Sequence, residues 1–144
     1  MRRILIVEDS AATRVYARSA LEIPGLGPEE EVEVSEATSG LDALRLLPRG
    51  AFDLVITDIN MPDINGLELI RFIRQSSRYD ALALLIISTQ AGERDIERGL
   101  ALGADGFLPK PFTPEALRDA VAQSFEKRRA RAAAARERGD EARD

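Results

Sequence analysis

Five short apolar runs punctuate the chain: Ile4–Val7, Val32–Val34, Phe52–Thr57, Leu82–Ser88 and Gly106–Leu108. The first, third and fourth are almost unbroken Val, Ile and Leu, the pattern of strands covered on both faces. Between them the apolar positions change to a helical period. Ser10 is placed to cap a first helix with Tyr16, Ala17, Ala20 and Leu21 on one inward face, and the Pro24–Pro28 segment, rich in Pro and Gly, reads as the loop that ends it. A second helix is expected from about Leu41 to Leu47, closed by Pro48 and Gly50. A third follows Gly66, with Leu69, Ile70 and Ile73 inward. A fourth spans about Glu93 to Leu102 and stops at Gly103. Thr113 caps the fifth, Pro114 occupies its first helical position, and Leu117, Ala120, Val121 and Phe125 form its inward face.

Strict alternation of strand and helix predicts a doubly wound parallel α/β sheet with right-handed crossovers and helices on both faces. The carboxyl ends of all the strands then lie on one rim. Residues 128–144 change character, with six arginines against four acidic residues and a run of alanines. The expected organisation is a domain over 1–127 and a charged Ala/Arg-rich tail over 128–144, helical or disordered. A helical extension is favoured over a nucleic-acid segment, because Ala and Arg are strong helix formers and the tail lacks aromatics. It is too short to be a DNA-binding domain.

Composition narrows the chemistry. The 144 residues include no cysteine and no histidine. Thiolate chemistry, Ser-His triads and histidine-ligated zinc are excluded. The formal charge of −5 gives the chain no general bias towards nucleic acid. The apolar runs fall far short of the roughly 20 residues that span a bilayer, and the run after Met1-Arg2-Arg3 is too short for a signal peptide. A cytoplasmic location is expected.

Carboxylates, hydroxyls, amides and one lysine remain. Glu8-Asp9 follows the first strand, Asp58 ends the third, and Lys110-Pro111 follows the fifth. Open α/β sheets bind ligands at this rim. Three acids crowded together raise one another's pKa, and a divalent cation relieves the repulsion. An all-oxygen donor set favours magnesium, with a position left open for a phosphoryl oxygen. A carboxylate can then attack phosphorus while an ammonium neutralises the developing charge. Ser88 or Thr89 at the end of the fourth strand can hydrogen-bond the product. Each signal alone reads most simply as a cap or a loop residue. Their joint occurrence on successive strand ends is what points to a site.

The motifs Glu8-Asp9, Asp58-x-x-Met61-Pro62-x-x-x-Gly66, Ser88, Gly103-Ala104-Asp105-Gly106-Phe107 and Lys110-Pro111-Phe112 resemble the receiver domain of two-component response regulators. The likeness covers about residues 2–127. Asp9-Ser10-x-x-x-Arg14, Asn60-Met61-Pro62 and Lys110-Pro111-Phe112-Thr113-Pro114 resemble the stand-alone chemotaxis (CheY-like) type. The resemblance implies a flavodoxin-like sheet with strand order 2-1-3-4-5. It implies that Asp58 is the phosphoacceptor. It makes Asp9 and Asp58, with the Asn60 carbonyl, direct Mg²⁺ ligands, and Glu8 a ligand largely through water. Lys110, before a cis bond to Pro111, would pair with the phosphoryl group. Ser88 and Phe107 would form the switch pair, and Asn60 and Gln90 would tune the phosphoryl lifetime. The implied partners are a sensor histidine kinase, a target bound at the face of the fourth helix, fifth strand and fifth helix, and a phosphatase that assists hydrolysis. Such a protein is a signalling switch, not a turnover enzyme. Thr89 departs from the pattern, since Ala or Gly usually borders the phosphoryl path.

Three other readings start from the same residues. A magnesium-dependent aspartyl phosphohydrolase needs an acid two residues after the nucleophile, where this chain has Asn60. A flavodoxin-like cofactor binder needs a hydroxyl- and glycine-rich loop after the first strand, where Glu8-Asp9 would repel phosphate. An unphosphorylated receiver-like scaffold would be expected to have lost some of the key residues, and none is missing.

Overall fold

The computed structural model describes residues 2–22, 31–89 and 93–143, with side chains to residue 138. The strands are β1 (Arg2–Val7), β2 (Val32–Ala37), β3 (Leu54–Asp58), β4 (Ala83–Ser88) and β5 (Gly106–Pro109). The helices are α1 (Ala11–Glu22), α2 (Gly40–Leu46), α3 (Gly66–Arg74), α4 (Glu93–Leu102) and α5 (Pro114–Arg143). Gln90 and the Pro24–Pro28 segment lie outside the described residues.

All strands are parallel, in the order β2-β1-β3-β4-β5. Successive side chains of a strand point to opposite faces, and the two halves of the core divide on that rule. Leu5, Val7, Val55, Leu84 and Ile86 meet Ala43 of α2 and Leu69, Ile70 and Ile73 of α3. Ile4, Ile6, Leu54, Ile56, Leu85 and Ile87 meet Ala17 and Ala20 of α1 and Leu117 and Val121 of α5. This two-sided burial is why the inner strands show no polar alternation.

The helix starts follow their capping chemistry. The Ser39 hydroxyl accepts from Asp42 N–H, the Asn65 side chain from Glu68 N–H and the Thr113 hydroxyl from Ala116 N–H. Gly103 takes a positive φ of 118° and stops α4, as the sequence predicts. One inward assignment fails. Tyr16 is 45% exposed, because its hydroxyl donates to the Phe112 carbonyl at 2.9 Å and its ring leans on Phe112 at the sheet's edge. An aromatic with a polar tip stays wet at that end.

Helix α5 continues without a break past residue 127. The first turn beyond that point is anchored. Asp105, fully buried, accepts from Leu84 N–H and is ringed by Arg74 at 3.1 Å, Arg128 at 2.9 Å and Arg131 at 3.2 Å. Arg128 also donates to the Gly103 carbonyl and Arg131 to the Ala104 carbonyl. Burial and the neighbouring charge of Arg128 depress the Arg74 guanidinium to about 10, which leaves it charged at neutral pH. The α4–β5 corner, which leads directly into Phe107, is thus clamped by α3 on one side and α5 on the other.

Candidate functional site

Four strand ends build the site. Glu8 directly follows β1 and Asp58 is the last residue of β3, and both are buried. Asp9 lies in the next loop and is exposed. One carboxylate oxygen from each of the three lies within 4.8 Å of the others. Lys110, just beyond β5, reaches into this group. Its ammonium donates to Glu8 Oε2 at 2.7 Å and to Asp58 Oδ2 at 2.9 Å. The Lys110 backbone is fixed by a bond from its N–H to the Ser88 carbonyl, and the Lys110–Pro111 bond is cis.

Burial raises the Glu8 carboxyl. Hydrogen bonds from Lys110 and from Ser10 N–H pull it back, and the Asp58 charge pushes it up again; the net direction is upward. Lys110 moves upward too. Burial works against its charge, but the hydrogen bonds to Glu8 and Asp58 outweigh it. The set is a cation shared between two acids, with a third acid alongside. It offers three carboxylates, no sulfur and no imidazole, a donor chemistry that fits a hard divalent cation such as Mg²⁺.

Asp58 is held from below as well. Its Oδ1 accepts from Asn60 N–H at 3.3 Å, and Gly66 N–H donates to the Ile59 carbonyl at 2.8 Å. A Cβ on Gly66 would stand 2.1 Å from the Asp58 carbonyl oxygen. The glycine of the motif is there because the first turn of α3 lies directly against the backbone of the carboxylate. Asp63, inside the same loop, accepts from the N–H groups of Gly40 and Leu41 and ties the loop to α2.

Among the described residues, Ser88, Thr89 and Asn60 fall on the same rim, and Phe107 lies two residues below it on β5. Asp58 pairs in register with Ile87, so Ser88 stands one residue further along β4, fully buried. Thr89 follows it and is exposed. Phe107 lies on β5 opposite Ile86, half-buried against the α2–α4 side of the core. Asn60 sits in the loop after Asp58.

Two groups of functional interest escape a reading by motif alone. Arg14 donates to the backbone carbonyls of both Glu8 and Asp9. Asp105 organises three arginines from two helices. Arg14 and Asp105 stand in quoted motifs, but their partners lie up to 31 residues away in sequence, and no local pattern announces them.

The sequence model of the response regulator receiver domain matches residues 4–122. The chemotaxis protein CheY homolog of Campylobacter jejuni is 32% identical over 118 residues, which cover 81% of this chain and 87% of that protein. Among solved structures, the chemotaxis response regulator CheY4 of Vibrio cholerae superposes with a TM-score of 0.77 at 32% identity, over 86% of this chain and 98% of that one. A response regulator of Chloroflexus aurantiacus gives a TM-score of 0.78 at 28% identity, over 87% and 98%.

Proposed function

The chain belongs to the response regulator receiver family and is CheY-like, and on that premise we propose that it is a phosphorylation switch with Asp58 as phosphoacceptor. The observation that carries the reading is Lys110, whose ammonium joins Asp58 to Glu8 in a buried cluster with Asp9 beside it.

A sensor histidine kinase in the cytoplasm presents phosphohistidine. A carboxylate oxygen of Asp58 attacks phosphorus, the P–N bond breaks, and the histidine leaves as the acyl phosphate forms. Asp9 and Asp58, with the Asn60 carbonyl, would hold Mg²⁺ directly, and Glu8 through water. Bound there, Mg²⁺ supplies charge neutralisation for the transferring group. Lys110 exchanges its bond to Asp58 Oδ2 for one to a phosphoryl oxygen. Its charge is secure at neutral pH, since its bonds to both acids hold it above the ordinary lysine range.

The Ser88 hydroxyl then turns to the phosphoryl group and the Phe107 ring moves inward behind it. That biases a two-state equilibrium and changes the face of α4, β5 and α5 that meets a downstream target. Phe107 carries no hydroxyl, so the ring signals by position alone. Hydrolysis of the acyl phosphate, unaided or helped by a phosphatase, ends the signal. Control of motility is the process that the relatives' names support. Thr89, exposed beside Ser88, borders the phosphoryl path and would slow entry of small donors.

The test is Mg²⁺-dependent phosphorylation of the wild type and of Asp58→Asn by candidate histidine kinases and by a small acyl phosphate. Label should be alkali-labile and absent from Asp58→Asn. Undiminished labelling of that variant would remove the assignment.

A further inference from the structure

Asp9 is exposed, and among the described residues no side chain hydrogen-bonds to its carboxylate. Its aim is therefore set by the backbone of the β1–α1 loop. The Glu8 carboxylate accepts from Ser10 N–H within that loop, and Arg14 reaches the loop's carbonyls from α1. A single nitrogen of Arg14, Nη1, donates to the Glu8 carbonyl at 2.7 Å and to the Asp9 carbonyl at 3.1 Å. Two successive carbonyls can meet one nitrogen only if the loop turns both to the same side, so the contact fixes the conformation of the acidic pair.

The guanidinium is itself fixed. Its Nε donates to Glu36 Oε1 at 3.2 Å, with Arg14 only 16% exposed. The other oxygen of Glu36 accepts from Arg18 at 2.6 Å, and Arg18 also donates to the Val34 carbonyl. A chain of charge-assisted bonds thus runs from β2 through Glu36 to the loop that carries Glu8 and Asp9. The planar fork of Arg serves Glu36 and both carbonyls together, which a lysine ammonium cannot do with the same geometry.

We propose that Arg14 is a positioning residue for the metal site, setting the direction of the Asp9 and Glu8 carboxylates through the backbone that carries them. The assignment rests on the reading of Glu8, Asp9 and Asp58 as a Mg²⁺ site. It makes a prediction opposite in sign to simple electrostatics. A fixed positive charge near a cation site weakens cation binding, so deleting it for charge reasons alone would tighten Mg²⁺. If Arg14 positions the acids, deleting it loosens Mg²⁺.

The experiment is a Mg²⁺ titration of unphosphorylated protein, followed by backbone amide shifts, for the wild type, Arg14→Met and Arg18→Met. The thermal midpoint of each is measured without metal. Loss of an outer partner that orients metal ligands commonly costs about 10–100-fold in affinity, and Arg14→Met should bind Mg²⁺ at least roughly tenfold more weakly. Arg18→Met touches neither carbonyl and reaches the loop only through Glu36, so it should weaken binding less than Arg14→Met does. If Arg14→Met fails to fold, Arg14→Lys carries the test, and weakened binding is again expected. Saturable binding by the wild type with equal or tighter binding by the Arg14 variant overturns the proposal alone. No saturable binding by the wild type overturns both the proposal and the metal site beneath it.

Discussion

Replacing Gly66 with alanine should damage the site while improving the helix in which the change is made. Gly66 is the first residue of α3, where alanine is favoured over glycine by up to about 1 kcal/mol. The added Cβ, however, would lie 2.1 Å from the Asp58 carbonyl oxygen, 2.9 Å from its carbonyl carbon and 3.0 Å from Ile59 Cα. A comfortable carbon–oxygen contact is about 3.3 Å or more, so one backbone segment must yield by about 1 Å. Every atom met is main chain, and no rotamer change relieves the clash. Overpacking costs about 1–3 kcal/mol, and a clash with main chain alone puts this site at about 2–3 kcal/mol, leaving a net loss of about 1–2 kcal/mol after a helix gain of up to about 1 kcal/mol. A fall in thermal midpoint of roughly 3–8 °C is expected. The effect on phosphorylation should be larger than the stability loss implies. A 1 Å displacement at Asp58 breaks the 2.9 Å bond to Lys110, and misplacement on that scale commonly costs about 10²-fold in rate. The assay is the initial rate of Mg²⁺-dependent labelling beside differential scanning calorimetry. Gly99→Ala is the control, since its Cβ would meet the Ile86 Cδ1 methyl, a side-chain tip that can move. Wild-type rate and midpoint in Gly66→Ala would refute the steric reasoning.

Asp105→Ala should destabilise the protein by about 3–5 kcal/mol in urea unfolding, because three guanidiniums lose their shared anion and Leu84 N–H loses its acceptor. Arg131→Ala should cost no more than about 1 kcal/mol, since Arg131 is 46% exposed; a larger loss than that of Arg128→Ala would reverse the assigned order. The bonds to Glu8 and Asp58 give Lys110 a raised folded pKa, so its stabilisation is complete below 10.5 and declines as pH rises through that raised value. Lys110→Met should lack this alkaline decline in metal-free thermal midpoints, and an unchanged slope would deny the linkage. Thr89→Ala should accept phosphate from a small donor at least roughly twofold faster, a barrier change of about 0.4 kcal/mol, and equal rates would clear Thr89 of any gating part.

The architecture was readable because each inner strand is buried on both faces. Ile4 to Val7 and Leu54 to Ile56 show unbroken apolar runs, and their ends locate the acids. Gly103 announced its own turn. Lys110 was legible only jointly with Glu8 and Asp58, since the bonds between them span 102 and 52 residues. Tyr16 was misassigned because helical spacing marks a face but cannot weigh a hydroxyl that finds a carbonyl at the edge. Arg14 and Arg128 carried no periodic signal at all. An arginine on a helix reads as solvated until the fold brings it a carbonyl or a carboxylate.

The match to the family's sequence model ends at residue 122, while the contacts that serve the Asp105 carboxylate continue to Arg131. Any chimera that joins a second module to this receiver just after the family's match would sever two of the three cations serving a buried anion. The loss falls on the corner that feeds the Phe107 strand. A graft placed there would report a weakened scaffold as though it were a weakened signal. Junctions placed beyond Arg131 keep the two effects separable, and the helical stretch that follows offers a stiff spacer for that purpose.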